Sequence, residues 1–183
     1  MNLDTLRGQI PDYAKDLRLN LESVLTEAGA PGLTAQQIAM VALASAMASR
    51  FAPLTRGIGE WARGTLGEPE MNGARAAAAI MGMTNVYYRF THLVHEKEYA
   101  NLRAGLRMNV LAQHGTDKLA FELASLAVSA INGCGMCMDS HEKTVRQHGA
   151  SAQAVQSAVR IASVVHAVAV VLEQRQAAEA IPE

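Results

Sequence analysis

Both cysteines of this 183-residue chain sit three apart, in Cys134-Gly135-Met136-Cys137, and His141 follows four residues after the second. At about 100° per helical residue, positions 134, 137 and 141 fall within an arc of roughly 60°. Two thiols and an imidazole then share one face. That grouping suits a dithiol that cycles to a disulfide, with a base beside it. A cysteine is a nucleophile only as its thiolate, and with a pKa of about 8.5 a free thiol is mostly protonated at neutral pH. Three features favour the anion here. The pair lies where a helix is expected to begin, and an N-terminus attracts negative charge. His141 is i+4 from Cys137, a side-chain neighbour spacing. Each thiol can also hydrogen-bond the other's thiolate.

Glu122 is the next candidate. It is the sole acid between Asp117 and Asp139, and it interrupts the apolar run Leu119 to Ile131. Burying a carboxylate is costly unless it is paired. Asn132-Gly133 is a turn signal, and such a turn would fold the Cys helix back and bring Glu122 near His141. Nucleophile, base and orienter would then be in place. Other readings stay open at this level. Glu122 suits the first turn of a helix as a solvent-facing charge. The cysteines suit a core position. Cys134, Cys137, His141 and Glu122 also form a possible zinc set, although a structural zinc commonly brings a second Cys or His pair, and none is evident.

The elements that must position these residues all read as helices. Pro11 opens a segment to about Glu27, striped by Leu17, Leu21, Val24 and Leu25 and closed by Gly29. Thr34 and Gln37 form a capping box ahead of an Ala-rich helix over Ala35 to Arg50. Pro53 starts another, ended by Gly64 to Gly67. Two more are expected from Pro69 to Met83 and from Asn85 to Leu93. His95 to Thr116 is the least regular part, broken by Gly105 and Gly115. Thr116 or Asp117 caps a helix to Ile131. The Cys helix covers Cys134 to His148 and stops at Gly149. Ser151 caps the last helix, which passes Glu173, and Ala177 to Glu183 is expected to fray. A weak internal repeat lays Ile38–Arg50 on Glu122–Cys134 at an offset of 84 residues, pairing Ser45 with Ser129.

Composition agrees with an all-α chain in one domain over 1–183. Half the residues are hydrophobic but only 4% are aromatic, the rest of the apolar set being mostly Ala, Leu, Val, Met and Ile. A net charge of −1 with no basic stripe argues against nucleic acid. The longest apolar stretch, Ile161 to Leu172, is shorter than the about 20 residues a bilayer needs. No signal-peptide pattern opens the chain. A soluble, cytoplasmic protein is expected, where a close Cys pair points to catalysis or metal rather than a structural disulfide. His166 is expected in the core of the last helix; His92, His95, His114 and His148 in solvent. Met81, Met83 and Met108 read as core fillers, Tyr87, Tyr88 and Trp61 as packing or subunit-contact residues, and Lys97, Arg103 and Arg107 as a solvated basic face.

At these motifs the chain resembles the alkyl hydroperoxidase AhpD family of the carboxymuconolactone decarboxylase-like superfamily. The resemblance runs through Pro11 to Asp16, Ala79 to Met83, Asn85-Val86, Gly105 to Asn109 and, most specifically, Ala127 to Cys134 with Cys137 and His141-Glu142. A Glu twelve residues before the first Cys, then C-x-x-C-x-x-x-H, is met by Glu122, Cys134, Cys137 and His141. The resemblance implies an AhpD-like helical fold, commonly a homotrimer, with no bound cofactor or metal. It implies an antioxidant alkyl hydroperoxide reductase whose electrons come from dihydrolipoamide on a lipoylated acyltransferase, and which keeps an AhpC-type peroxiredoxin reduced. One departure stands out. Family members commonly carry His directly before the second Cys, where this chain has Met136. Methionine cannot shuttle a proton, so a redox adaptor with little peroxidase activity of its own is the alternative. A ring-acid decarboxylase, as in the wider superfamily, would have no use for a dithiol.

Overall fold

The computed structural model describes residues 2–96 and 98–179, so Lys97 and the end of the tail lie outside the described residues. Among the described residues there are nine α-helices and no strand: α1 Leu3–Gly8, α2 Lys15–Val24, α3 Ala35–Ala48, α4 Ala52–Ala62, α5 Glu68–Leu93, α6 Glu98–Asn101, α7 Lys118–Ile131, α8 Gly135–Gln147 and α9 Ala152–Glu179. The fold is all-α, as the composition requires.

Two Ala-rich helices make the centre. Residues 38–46 of α3 and residues 120–129 of α7 are buried without interruption. A helix that is apolar on all sides must be wrapped by others. Accordingly α3 packs against α4, α5, α7 and α9, and α7 against α5, α8 and α9. Small side chains let these backbones approach, and Phe121, Leu43, Met40 and Ile161 fill the gaps between them. α9 is long and apolar enough to cross a membrane by length and composition, yet half of its apolar window is buried inside the fold, against α2, α3 and α7.

Several boundaries differ from the sequence expectation. Pro11 opens a 3-10 turn over Asp12–Ala14 before α2, and α1 ahead of it was not anticipated. Asn2 caps α1 by accepting the N–H of Thr5, and its buried anchor is Leu6. The helices expected over 69–83 and 85–93 are one continuous α5; burial of Met81, Thr84 and Asn85 against α7 offsets the helix-weakening effect of Gly82. Asp117, not Thr116, caps α7, accepting the N–H of Ala120 at 2.8 Å. The last helix extends to Glu179, and residues 180–183 of the tail expected to fray lie outside the described residues.

The internal repeat is visible as two trios, α3–α4–α5 and α7–α8–α9, but in a corrected register. The N-caps Thr34 and Asp117 lie 83 residues apart, as do the N-caps Phe51 and Cys134. The left-handed residues Arg50 (φ 63°) and Gly133 (φ 68°) occupy the same place between them. The third helices, starting at Glu68 and Ala152, keep the offset of 84. Ser45 and Ser129 therefore do not correspond.

Candidate active site

α7, the turn after it and α8 bring the candidate residues together. Gly133 adopts φ 68°, a conformation glycine reaches without penalty. This lets the chain reverse, and the Cys134 N–H then bonds the Ser129 carbonyl at 3.1 Å. Asn132 is held from α5: its side-chain amide donates to Asn85 Oδ1 at 3.0 Å, and its carbonyl accepts from the Arg89 guanidinium. Cys134 is the N-cap of α8 rather than its first residue. It is extended (φ −95°, ψ 91°), and its sulfur accepts the Cys137 N–H at 3.3 Å. The two cysteines are joined as a disulfide with Cα atoms 5.2 Å apart. Cys134 is fully buried, whereas Cys137 keeps 7% of its surface open.

Glu122 is not a solvent-facing first-turn charge. It is 6% exposed, and both of its oxygens are engaged. Oε2 meets His141 Nδ1 at 2.6 Å, and Oε1 accepts from Lys118 Nζ at 2.6 Å. Burial pushes its pKa up, but hydrogen bonds from His141 and Lys118, with their charges, outweigh burial and hold it below the ordinary carboxylate value. The other ring nitrogen of His141, Nε2, lies 3.2 Å from Met81 Sδ. Glu122, His141 and the Cys pair thus form one constellation across α7 and α8, with Met81 reaching in from α5.

The site opens into a cavity of about 370 Å³. Cys137, His141 and Ser140 line it together with Met81, Tyr88, Met108, Leu111 and Met136. Tyr88 and Met136 also border a second cavity of about 400 Å³, lined further by Tyr87, Tyr99 and Leu102. Most of the first lining is apolar, so an organic molecule fits it better than a small polar one. Among the described residues no group of three His, Cys, Asp or Glu side chains is placed to hold a metal ion.

The sequence reading passed over Lys118, although its i−4 spacing to Glu122 on a helix is a pairing signal. Tyr88, read in the sequence as a packing or subunit-contact residue, and Met108, read as a core filler, both line the cavity together with Met136. Met108 is half-buried at the cavity, Met83 is half-buried on α5, and only Met81 of the three is fully enclosed. His166 is exposed, 3.3 Å from Ser49 Oγ, because it falls off the face of α9 that carries Ile161, Val165 and Val168 inward. His114 is not simply solvated: it stacks on Phe121 at 4.4 Å, and burial, with the nearby Lys118 charge, lowers its pKa. His92, His95, His148, Arg103 and Arg107 are exposed as expected, and Trp61 packs on the core.

An all-helical domain with a Cys-x-x-Cys at a helix start matches, over residues 97–180, the carboxymuconolactone decarboxylase family. Similarity to individual proteins spans nearly the whole chain. It is 54% identical over 173 residues to an alkyl hydroperoxide reductase AhpD of Gluconacetobacter diazotrophicus, covering 94% of this chain and 93% of that one. A Streptomyces coelicolor protein of the same name is 50% identical, covering 94% and 96%. One from Hyphomonas neptunium is 51% identical, covering 100% and 99%. The chain belongs to the alkyl hydroperoxide reductase AhpD family.

Proposed function

We propose that this protein is a thiol-dependent alkyl hydroperoxide reductase working through Cys134, Cys137, His141 and Glu122. The observation that carries the reading is the Cys137 sulfur at the wall of an apolar cavity, beside a histidine tied to a buried carboxylate. The reduced Cys137 thiolate attacks the distal peroxide oxygen. The O–O bond breaks, the alcohol leaves with a proton from His141, and Cys137 becomes a sulfenic acid. Cys134 then attacks that sulfur, water departs and the Cys134–Cys137 disulfide forms. Greater exposure favours Cys137 as the attacking sulfur, and the N-cap position of Cys134 favours its thiolate as the resolving one. Glu122 keeps His141 oriented and balances its charge.

Two electrons must return to the disulfide. Dihydrolipoamide on a lipoylated acyltransferase supplies them by thiol–disulfide exchange, and an AhpC-type peroxiredoxin is the protein partner. The whole chain, 1–183, acts as one domain in the cytoplasm, where thiols are kept reduced. A homotrimer is supported by the exposed apolar row Val86, Phe90 and Leu93 on α5, with Tyr99 and Leu102 beside it. Met136, a cavity-lining residue that cannot shuttle a proton, favours a second reading, an electron carrier between lipoyl protein and peroxiredoxin with little peroxidase activity of its own. The test is loss of cumene hydroperoxide in the presence of dihydrolipoamide, comparing wild type with Cys137→Ser. Turnover that vanishes in the variant supports the reductase. A wild type with two titratable thiols and no turnover supports the carrier.

A further inference from the structure

Met81 reads in the sequence as a core filler, yet it lies within the site. It is 2% exposed, and its sulfur sits among polar groups instead of packing against carbon alone. Ser129 Oγ lies 3.5 Å from it, Asn85 Nδ2 3.6 Å and His141 Nε2 3.2 Å. Thr84 Oγ1 is also 3.6 Å away, but its single proton has the Ile80 carbonyl at 3.0 Å. These contacts extend a buried chain. Asn132 donates to Asn85, and Asn85 donates to Ser129 Oγ at 3.0 Å. Ser129 has its hydroxyl proton left to give, and the Met81 sulfur is the acceptor in reach. The sulfur is thereby pinned from α5 and α7 while it faces the ring on α8.

We infer that Met81 is a positioning residue whose thioether accepts the Nε2–H of His141 and so keeps that nitrogen protonated while the Cys134–Cys137 disulfide is closed. The argument is one of hydrogen-bond accounting. A thioether offers only lone pairs. An unprotonated Nε2 at 3.2 Å would set one lone pair against another, so the geometry demands N–H there. This holds whichever of His141 and Glu122 owns the proton between Nδ1 and Oε2, and the Lys118 ammonium on Oε1 favours the carboxylate. The choice of acceptor matters. Sulfur is too weakly basic to remove the proton from imidazole, and it releases the N–H more readily than a carbonyl would. The proton therefore waits on Nε2, in the cavity that Cys137 also lines, until reduction of the disulfide produces a thiolate to receive it. The inference rests on His141 having the role proposed above, and it adds no new covalent step.

The test is long-range ¹H–¹⁵N NMR of the His141 ring in the disulfide form at neutral pH, on wild type, Met81→Leu and Met81→Gln. Leucine keeps the volume and loses the acceptor; glutamine restores an acceptor without sulfur. A protonated Nε2 in wild type and Met81→Gln, with an unprotonated population in Met81→Leu, is the expected pattern. The rate at which dithiothreitol opens the disulfide should fall about tenfold in Met81→Leu, the loss expected for one hydrogen bond, and recover only in part in Met81→Gln, whose carbonyl holds the N–H more tightly. An unprotonated Nε2 in the wild type overturns the inference without any variant. So does a Met81→Leu protein whose ring signature and opening rate match the wild type, since Met81 would then be packing alone. None of these readouts needs peroxide. A wild type with a protonated Nε2 and no hydroperoxide turnover upholds the role of Met81 and removes the peroxidase reading instead.

Discussion

The two helix trios share boundaries and caps, yet Glu122, the cysteine pair and His141 all lie on the second, and the first contributes only through α5, with Met81 and Asn85. With the first two helices of each trio laid 83 residues apart, Ala39 stands where Glu122 is, Phe51 where Cys134 is, Leu54 where Cys137 is and Ile58 where His141 is. Those four are buried apolar residues. The third helices, 84 residues apart, set Val165 and Ala169 against Met81 and Asn85. The helix framework is therefore indifferent to function: it can be filled with carbon or with a polar network. What the site on the second trio needs is a partner for Glu122, His141 and Ser129, because an unpaired buried polar atom costs on the order of 1–3 kcal/mol. Glu122 has two, His141 has two, and Ser129 both accepts and donates. The covering element differs as well. α1 lies on α4, whereas α8 meets α5 and leaves a cavity beside Cys137.

If this contrast is right, paired substitutions should fail in opposite ways. Cys137→Ser should abolish hydroperoxide turnover while the reduced protein stays folded by circular dichroism. The matching change in the first trio, Leu54→Ala, should remove about 2–5 kcal/mol of stability in urea unfolding, the usual range for a large core deletion, because Leu54 is wholly buried. Its two thiols should still titrate and its disulfide should still form. A Leu54→Ala protein that kept its stability but lost turnover would break the division between a structural and a chemical trio.

The chemical trio was largely legible in the sequence because its signals are local. Cys134, Cys137 and His141 lie within eight residues, and Glu122 stands out as a lone acid in an apolar run. The rest depended on contacts across the chain. Met81 is 60 residues from His141, and nothing in its surroundings distinguishes a hydrogen-bond acceptor from a core filler. The continuity of α5 through Gly82 depends on α7 holding it, which propensity does not show. The repeat was seen, but similarity among Ala-rich helices slid its register by one residue; the caps Thr34, Phe51, Asp117 and Cys134 fix it. His166 is exposed where a core position is expected, because the last helix is apolar enough on average to hide which of its faces turns inward.

The carboxylate sharpens the comparison through pH. Pairing with His141 and Lys118 holds the Glu122 pKa below its ordinary value of 4.5. Between that value and the lower folded one, the native state binds fewer protons than the unfolded state, so stability rises with pH. The contribution is complete above the unfolded value and is lost as pH falls through the folded one. Glu122→Gln should therefore be less stable than wild type at neutral pH and lose less on acidification, read as melting temperature from about pH 7 to about pH 3. Turnover should fall by a factor of about ten to a hundred, since an oriented base is impaired rather than removed. Parallel melting curves across that range would mean that the buried pairing does not stabilise the fold.

Lys118 should matter least, and the reason is solvent. Its ammonium lies 2.6 Å from Glu122, as close as His141 does, but 40% of its side chain is exposed, against 12% for His141. Water screens the outer partner, so the pair is worth at most about 1 kcal/mol. Lys118→Met keeps the aliphatic stem and removes the charge. Chemical denaturation should show a loss within that limit, and turnover should fall less than about threefold. Because one of the two groups opposing burial is gone, the folded-state pKa of Glu122 moves up, so the acid-induced loss of stability should be smaller and be complete at a higher pH than in wild type. Ala35 occupies the matching place in the first trio, where no carboxylate asks for a cation. A Lys118→Met variant as impaired as Glu122→Gln would show that the lysine, and not the histidine, is what makes a buried charge tolerable in α7.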